Sequence, residues 1–404
     1  MIQPATPAAR RSNVVLLGWA AFWSGMAQEM IYPLLPVFVV VALGASKTKL
    51  GAVEGALAVG VTVARLATGR AVDRGGSPLR LTRASYALSL LARPLLALAP
   101  SVAAVGALRV VDGLGKGGKD APRDVLVAAD AEAGRAGRSF GLQRMLDTLG
   151  SVVGPLVAGA VLLVVGRGES GLRVAFALAA LPAVGAAVQL ARAHDAPPAT
   201  PASGARRARL PRPFWVLLGA LTVFGLANSS DTLLLLRARS AGLSAPALAF
   251  LYAAFNLAYA LLALPAGALS DRVGRRPLLL VAWSTYVLAY AGFAVATRSW
   301  QVVGLFLLYG VYYAAGEGTV KAWITTLVPV DRRGAAYGLA AAASGLLVLP
   351  ASVLAGALWD RVGPRAAFLT GSLIALAALA VLAFVPTVRT RPAAPTRPGS
   401  ATEG

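Results

Sequence analysis

Seven of the sixteen residues from Arg109 to Asp124 are ionisable: Arg109, Asp112, Lys116, Lys119, Asp120, Arg123 and Asp124. The intervening positions are Val, Leu, Ala, Pro and Gly, so the segment reads as a greasy helix that carries charge. At about 100° per residue the seven fall within an arc of roughly 140°. Charge inside hydrocarbon costs a few kcal/mol or more, so such residues face a watery cavity and mark a pathway for solute, ion or proton. A carboxylate beside a cation, as in Asp112 beside Arg109 or Asp120 beside Lys119, can exchange a proton when burial and the neighbouring charge act in opposition.

The elements that hold this stripe are long apolar runs. The chain has 404 residues, 57% hydrophobic and 14% charged, with mean hydropathy +0.69. A soluble domain carries about 25% charged residues, and runs of ~20 apolar residues span ~30 Å of hydrocarbon. Spans are expected at Asn13–Ala42, Leu50–Val72, Leu79–Ala99, Val102–Ala128, Phe140–Val165 and Leu172–Ala191. Six more are expected at Phe214–Leu236, Pro246–Leu269, Leu278–Ala296, Gln301–Leu327, Ala335–Leu358 and Ala366–Val385. The fold class is therefore an all-α polytopic membrane protein of twelve transmembrane helices. It divides into an N-terminal six-helix bundle (13–191), a Pro-, Ala- and Arg-rich linker (192–213), a C-terminal bundle (214–386) and a disordered tail (387–404). Arg10 and Arg11 precede an apolar run too long for a signal peptide, which carries Glu29, Pro33 and Pro36 and is read as the first helix.

A net charge of +21 would suggest nucleic acid in a soluble protein. With Arg70, Arg80, Arg83 and Arg173, at span ends, counted with the loops, eight basic and eight acidic residues lie within the spans, so the whole excess sits in loops and tails. With both termini on the cytoplasmic side, the inside segments hold 21 basic residues and the outside loops 9. That asymmetry orients the chain in an inner-membrane-type bilayer and explains the charge without nucleic acid. The chain has no Cys, and its one His, His194, is read as a solvated loop residue beside Asp195. No metal site, cofactor or enzyme chemistry is expected: no span carries a His, and the carboxylates are not spaced as a ligand set.

The chain repeats itself. Gly69, Asp73, Arg74 and Gly76 recur 198 residues later as Gly267, Asp271, Arg272 and Gly274, followed by Arg275 and Arg276. Phe140-Gly141 recurs as Tyr337-Gly338, and Gly159 as Gly356, 197 residues on. Two related halves of six spans fit a duplicated transporter plan. The Gly-x-x-x-Asp-Arg-x-Gly loops between spans two and three and between spans eight and nine resemble the signature loop of the major facilitator superfamily. The likeness covers nearly the whole chain. Span five, with Gly150, Gly154, Pro155 and Gly159, resembles the Gly-Pro motif of drug:proton antiporters in that superfamily, apart from a last gap one residue longer. Generic helix packing accounts for it equally. A third look-alike, Gly356-Ala-Leu-Trp-Asp360-Arg361-Val-Gly363, falls on the opposite side of the membrane and is set aside as a decoy.

The resemblance implies two pseudo-symmetric bundles whose spans one, four, seven and ten line a central cavity. It makes Gly69, Asp73, Arg74, Gly76, Gly267, Asp271, Arg272, Gly274, Arg275 and Arg276 a gate that latches the halves. In the first copy Ser77 and Pro78 stand where a basic pair is usual. It associates Arg109 and Gly113 with proton coupling. By the repeat offset Asp120 corresponds to Glu317 and Asp124 to Lys321, and Glu317 and Lys321 are four apart on one helix face. The cavity set is then Arg109, Asp112, Lys116, Lys119, Asp120, Glu317 and Lys321, with Gln28, Glu29 and Tyr32 from span one, and Asn228 and Asp231 from span seven. Arg123 and Asp124, with or without Asp120, fit a gate equally well, paired with Arg74, Arg135 or Arg144. Asp147 and Arg144 read as a structural pair; Glu54, Arg65 and Arg93 read as packing or interfacial groups.

The function expected is secondary active transport of a small organic solute, driven by a proton gradient and directed outward, by a monomer whose partners are solute, protons and lipid bilayer. An organic-anion or phosphate-ester transporter on the same fold is the alternative, since five basic residues could line an anion site. A non-transporting sensor is a third reading, opposed by the cost of charges in an idle cavity.

Overall fold

In the computed structural model residues 12–130, 136–195, 209–328 and 333–385 are described, with only the backbone of Asp73, residues 136–141, Leu264, Asp271, Glu317, Thr325 and residues 333–335. The N-terminal half comprises α1 (Asn13–Ile31), α2 (Leu35–Val37, continued by a π turn over Phe38–Ala42), α3 (Lys47–Asp73), α4 (Pro78–Leu95), α5 (Val102–Gly118), α6 (Asp120–Asp130), α7 (Ala136–Val165), α8 (Glu169–Leu178) and α9 (Ala180–Arg192). The C-terminal half comprises α10 (Arg212–Ala227), α11 (Asp231–Ser240), α12 (Ala245–Val273), α13 (Arg275–Val295), α14 (Ser299–Leu327), α15 (Arg333–Arg361) and α16 (Pro364–Ala383). Four expected spans are each built from two consecutive helices: α1 with α2, α5 with α6, α8 with α9, and α10 with α11. The count of twelve follows.

Among the described residues nine of these spans are long and apolar enough to cross a membrane. Of the other three, α4 carries Arg80, Arg83 and Arg93, the α5–α6 pair carries the charged stripe, and α14 carries Tyr309, Tyr312, Tyr313 and Lys321.

Packing repeats with the sequence. In the first half α1 packs on α7 and α9, and α3 on α5; in the second α10 packs on α15 and α16, and α12 on α14. Between the halves α3 meets α15 and α7 meets α12, two contacts related by the same pseudo-symmetry. The C-terminal half has an aromatic core, with Phe224 stacked on Trp283 at 4.3 Å and Tyr286 on Tyr290 at 4.1 Å.

The two ends of the bundle differ. At the end away from the termini, a Cβ on Gly51 would lie 2.2 Å from Ser352 O, and one on Gly356 2.4 Å from Lys47 O, so the halves meet backbone to backbone. At the termini end Gly267, Gly318 and Gly338 have open space around them. The cleft between the halves is thus closed by backbone contact at the far end.

The linker departs from expectation at its start. Asn13 Nδ2 donates to His194 O at 2.8 Å, His194 N donates to Asn13 Oδ1 at 3.1 Å, and His194 Nε2 lies 3.7 Å from Asp130 Oδ1. Asp195 accepts from Ser77 Oγ and, at 3.1 Å, from Leu79 N at the start of α4, where a helix N-terminus favours negative charge. His194 is therefore a docked residue, because Asn13 pairs with both of its peptide groups. Residues 196–208 and the expected tail, 387–404, lie outside the described residues.

Candidate functional site

Two helix breaks face each other across the cleft. In span one, α1 ends at Ile31, and Pro33 and Pro36 each remove a backbone donor, leaving Tyr32–Leu34 between α1 and α2. In span seven, α10 ends at Ala227 and α11 starts at Asp231, with Ser230 as its cap accepting from Thr232 N. Tyr32 and Asn228 are 196 residues apart, close to the repeat offset, so the breaks are the same feature in each half. Discontinuous helices at matching positions characterise the substrate level of transporters.

The charged stripe is buried by glycine. A Cβ on Gly113 would lie 2.4 Å from Leu57 O, and one on Gly117 1.9 Å from Val61 O, both on α3. One on Gly115 would lie 2.5 Å from Ser85 O, on α4. The glycines that interleave the charges thus wedge α5 between its neighbours and carry the ionisable groups into the half.

There they form a closed network. Arg93 Nε donates to Asp112 Oδ1 at 2.9 Å and Arg109 Nη1 to Asp112 Oδ2 at 3.1 Å. Arg109 Nη2 donates to Glu54 Oε1 at 2.8 Å and to Oε2 at 3.1 Å. All four side chains are at most 3% exposed, and two guanidinium groups balance two carboxylates. The network extends both ways. Arg93 Nη2 donates to Gln28 Oε1 at 3.2 Å, and Gln28 Nε2 donates to Glu29 Oε1 at 2.7 Å. At the other end Ser230 Oγ lies 3.4 Å from Glu54 Oε2. One hydrogen-bonded chain thus runs from Glu29, beside the first break, to Ser230, inside the second.

The stripe therefore divides differently from expectation. Arg109 and Asp112 are sealed in the half, and Arg93 and Glu54, read from sequence as packing or interfacial, are their partners. Lys119 does not pair with Asp120; its Nζ lies 3.3 Å from Ser24 Oγ and 4.6 Å from the centroid of the Tyr86 ring. Asp120 is held by Arg65 at 2.6 Å, and Arg123 lies 3.7 Å from Asp120 and 3.3 Å from Asp124. Arg123 thus pairs within α6, with Asp120 one turn away and with its neighbour Asp124, and neither Arg123 nor Asp124 pairs with Arg74 or Arg144 among the described residues; Arg135 lies outside the described residues. Lys116 is half-buried and makes no hydrogen bond or ion pair among the described residues. Arg144 lies 3.8 Å from Asp147 and donates to Tyr259 OH at 3.1 Å, bridging α7 to α12.

On the C-terminal side Asp231 Oδ1 accepts from Tyr309 OH at 2.7 Å and Oδ2 from Tyr313 OH at 2.9 Å. Rings continue the wall: Tyr32 to Tyr252 at 5.2 Å, Tyr252 to Phe255 at 5.6 Å and Phe255 to Tyr313 at 5.6 Å. Glu29 Oε2 and Asn228 Oδ1 are buried without a hydrogen-bond partner. Lys321 is exposed, and the Glu317 side chain, its expected partner, lies outside the described residues.

The side chains of Asp73 and Asp271, at the centre of both gate loops, lie outside the described residues too. Around them, Arg74 and Arg272 are exposed, and the first loop's Ser77-Pro78 caps and opens α4. Gly274, at φ +95°, is the joint between α12 and α13, a conformation only glycine adopts freely. Arg275 Nη1 donates to Ser270 Oγ at 2.8 Å and Arg276 to Ala383 O, both within the C-terminal half. Gly69 is loosely packed, with Ala121 Cβ 4.0 Å from its built Cβ, whereas Gly76 closes a turn on Ala71 O. The copy set aside as a decoy is engaged between the halves: Asp360 Oδ1 accepts from Lys47 N at 3.1 Å and Oδ2 from Thr48 N at 2.8 Å. In span five a Cβ on Gly150 or Gly154 would meet the α1 backbone at 2.2 and 2.5 Å, and one on Gly159 would meet Phe250 of α12 at 2.7 Å. Pro155 is buried between them.

Comparison with known proteins agrees with this architecture. The family model described as Major Facilitator Superfamily matches residues 17–238 and 217–403. An uncharacterised transporter of that type from Methanocaldococcus jannaschii is 28% identical over 386 residues, 92% of this chain and 94% of the relative. A multi-drug resistance efflux pump PmrA homolog from Lactococcus lactis is 36% identical over 122 residues, 30% of this chain and 29% of that protein. The crystal structure of the nucleoside transporter NupG superposes with a TM-score of 0.75 at 13% identity, over 92% of this chain and 98% of that one, a likeness of fold alone. The chain belongs to the major facilitator superfamily.

Proposed function

We propose that this transporter exports a small organic solute in exchange for protons by alternating access, with Glu29 and Asp231 as the carboxylates that alternate between proton and solute. The observation that carries the reading is their placement: each stands at a helix break, at opposite ends of the buried chain, and among the described residues neither forms an ion pair. Asp112 is less suited to the task, since protonating it would leave Arg93 and Arg109 as buried, undercompensated cations. The basic asymmetry of the loops favours cytoplasmic termini, so the closed far end faces outward, as an exporter loading solute from inside requires. The resemblance of span five to antiporter motifs and the partial likeness to an efflux pump support outward transport. An organic anion is the second reading, favoured by the uncommitted ammonium of Lys116.

The test is flux in vesicles reconstituted with the full chain, over a panel of labelled cationic, anionic and neutral solutes. The expected result is accumulation of at least one solute that requires a pH gradient and is lost in Asp231→Asn and Glu29→Gln. Undiminished gradient-driven flux in both variants overturns the assignment, and no gradient-driven flux for any solute overturns proton coupling.

A further inference from the structure

The basic residues near the cleft are nearly all spent. Arg93 and Arg109 are saturated by Asp112 and Glu54, and Lys119 lies against Ser24 and Tyr86. Among the described residues near the cleft, Lys116 remains without a hydrogen bond or ion pair. The acids are in the opposite condition. Asp231 accepts only two tyrosine hydroxyls, which leaves each carboxylate oxygen a second lone pair. Glu29 is 7% exposed, uses one oxygen on Gln28, and its other oxygen has no partner. A buried carboxylate oxygen left without a donor is costly unless something fills the site.

Both acids lie beside one run of rings. Tyr32 belongs to the first break, Tyr252 and Phe255 to α12, and Tyr313 to α14, with the centroid separations given above. Glu29 and Asp231 are both within electrostatic range of the Tyr32 and Tyr252 side chains. Aromatic faces attract cations and repel anions through the ring quadrupole. Two carboxylates and four rings against one ammonium favour a cation over an anion.

Resting on the transport reading above, we infer that the solute is an organic cation with an aromatic or apolar body, its charged centre held between Asp231 and Glu29 over the Tyr32 and Tyr252 rings. The proton and the cation then compete for the same carboxylates, which is sufficient for exchange without a separate coupling site.

Equilibrium dialysis of the detergent-solubilised full chain tests this with tetraphenylphosphonium and tetraphenylborate, ions of matched shape and opposite charge, each read as the saturable component over empty micelles. The expected result is saturable binding of the phosphonium, weakened about tenfold or more by Asp231→Asn, weakened roughly 3- to 30-fold by Tyr252→Leu, and retained in Asp231→Glu. The charge-keeping variant, with melting curves of all variants, separates loss of the site from loss of the fold. Binding of the borate as tight as that of the phosphonium, or phosphonium binding unchanged in both Asp231→Asn and Glu29→Gln, overturns the inference. Saturable borate binding lost in Lys116→Ala assigns the site to anions instead. Because binding is read without a membrane gradient, phosphonium binding without gradient-driven flux refutes only the proton coupling. Flux without phosphonium binding refutes only the cation.

Discussion

Asp360 and Thr48 stand in opposite halves and are joined twice: the Asp360 carboxylate accepts from the Thr48 backbone at 2.8 Å and from its hydroxyl at 2.6 Å. With Lys47 Nζ 3.6 Å away, an acid at the end of α15 caps the start of α3 and holds the far end shut. Charge-assisted hydrogen bonds contribute about 1.5–3 kcal/mol each.

Asp360→Ala is therefore expected to raise the ratio of far-end-open to far-end-closed molecules by roughly tenfold or more. The chain has no cysteine, so spin labels at Val41→Cys and Val362→Cys, both exposed, report the separation directly. An unchanged distance distribution contradicts the latch.

The buried network is expected to serve stability first. Asp112→Asn leaves a buried guanidinium short of a partner and is expected to cost about 3–5 kcal/mol, read as a lowered melting temperature. The double replacement Glu54→Leu with Arg109→Met removes both charges of one pair and is expected to cost less than either single change. Glu29→Gln and Asp231→Asn should melt near the parent. The reverse pattern would exchange the roles of the two sets.

Glycine spacing gives a sharper contrast within two helices. Gly117→Ala would bring a Cβ to within 1.9 Å of Val61 O on α3 and is expected to destabilise by about 1–3 kcal/mol. Gly318→Ala, with open space around it, is expected to be neutral or to stabilise by up to about 1 kcal/mol through helix propensity. Thermal melts of the pair check this, and equal effects would argue against the wedge.

Hydropathy and the 197–198-residue repeat made the two-half architecture legible, and the charged stripe pointed to the helix that carries the buried ion-pair network. Its partners were harder to read. Arg93 and Glu54 each stand alone in an apolar run, and only packing shows that Gly113 and Gly117 bring Arg109 and Asp112 to them. The signal available was the charge balance within the spans, since a lone buried charge requires a partner elsewhere. Asp360 was discounted because its loop lies opposite the family's signature loops. In a pseudo-symmetric bundle the same loop chemistry serves the opposite end, and the repeated Gly-x-x-x-Asp-Arg spacing was the available signal. The helix breaks could be read from Pro33 and Pro36 in span one, but span seven breaks at Asn228–Ser230 without a proline, through side chains that cap their own backbone.

Proton exchange at Glu29 and Asp231 is tested most directly in vesicles loaded with a pH dye, to which a gradient of a transported solute is applied. The predicted result is a proton flux opposite to the solute flux, present in the parent and abolished in Asp231→Asn while binding-independent markers of folding persist. Solute movement without any change in internal pH, or an unaltered proton flux in both Glu29→Gln and Asp231→Asn, would contradict it.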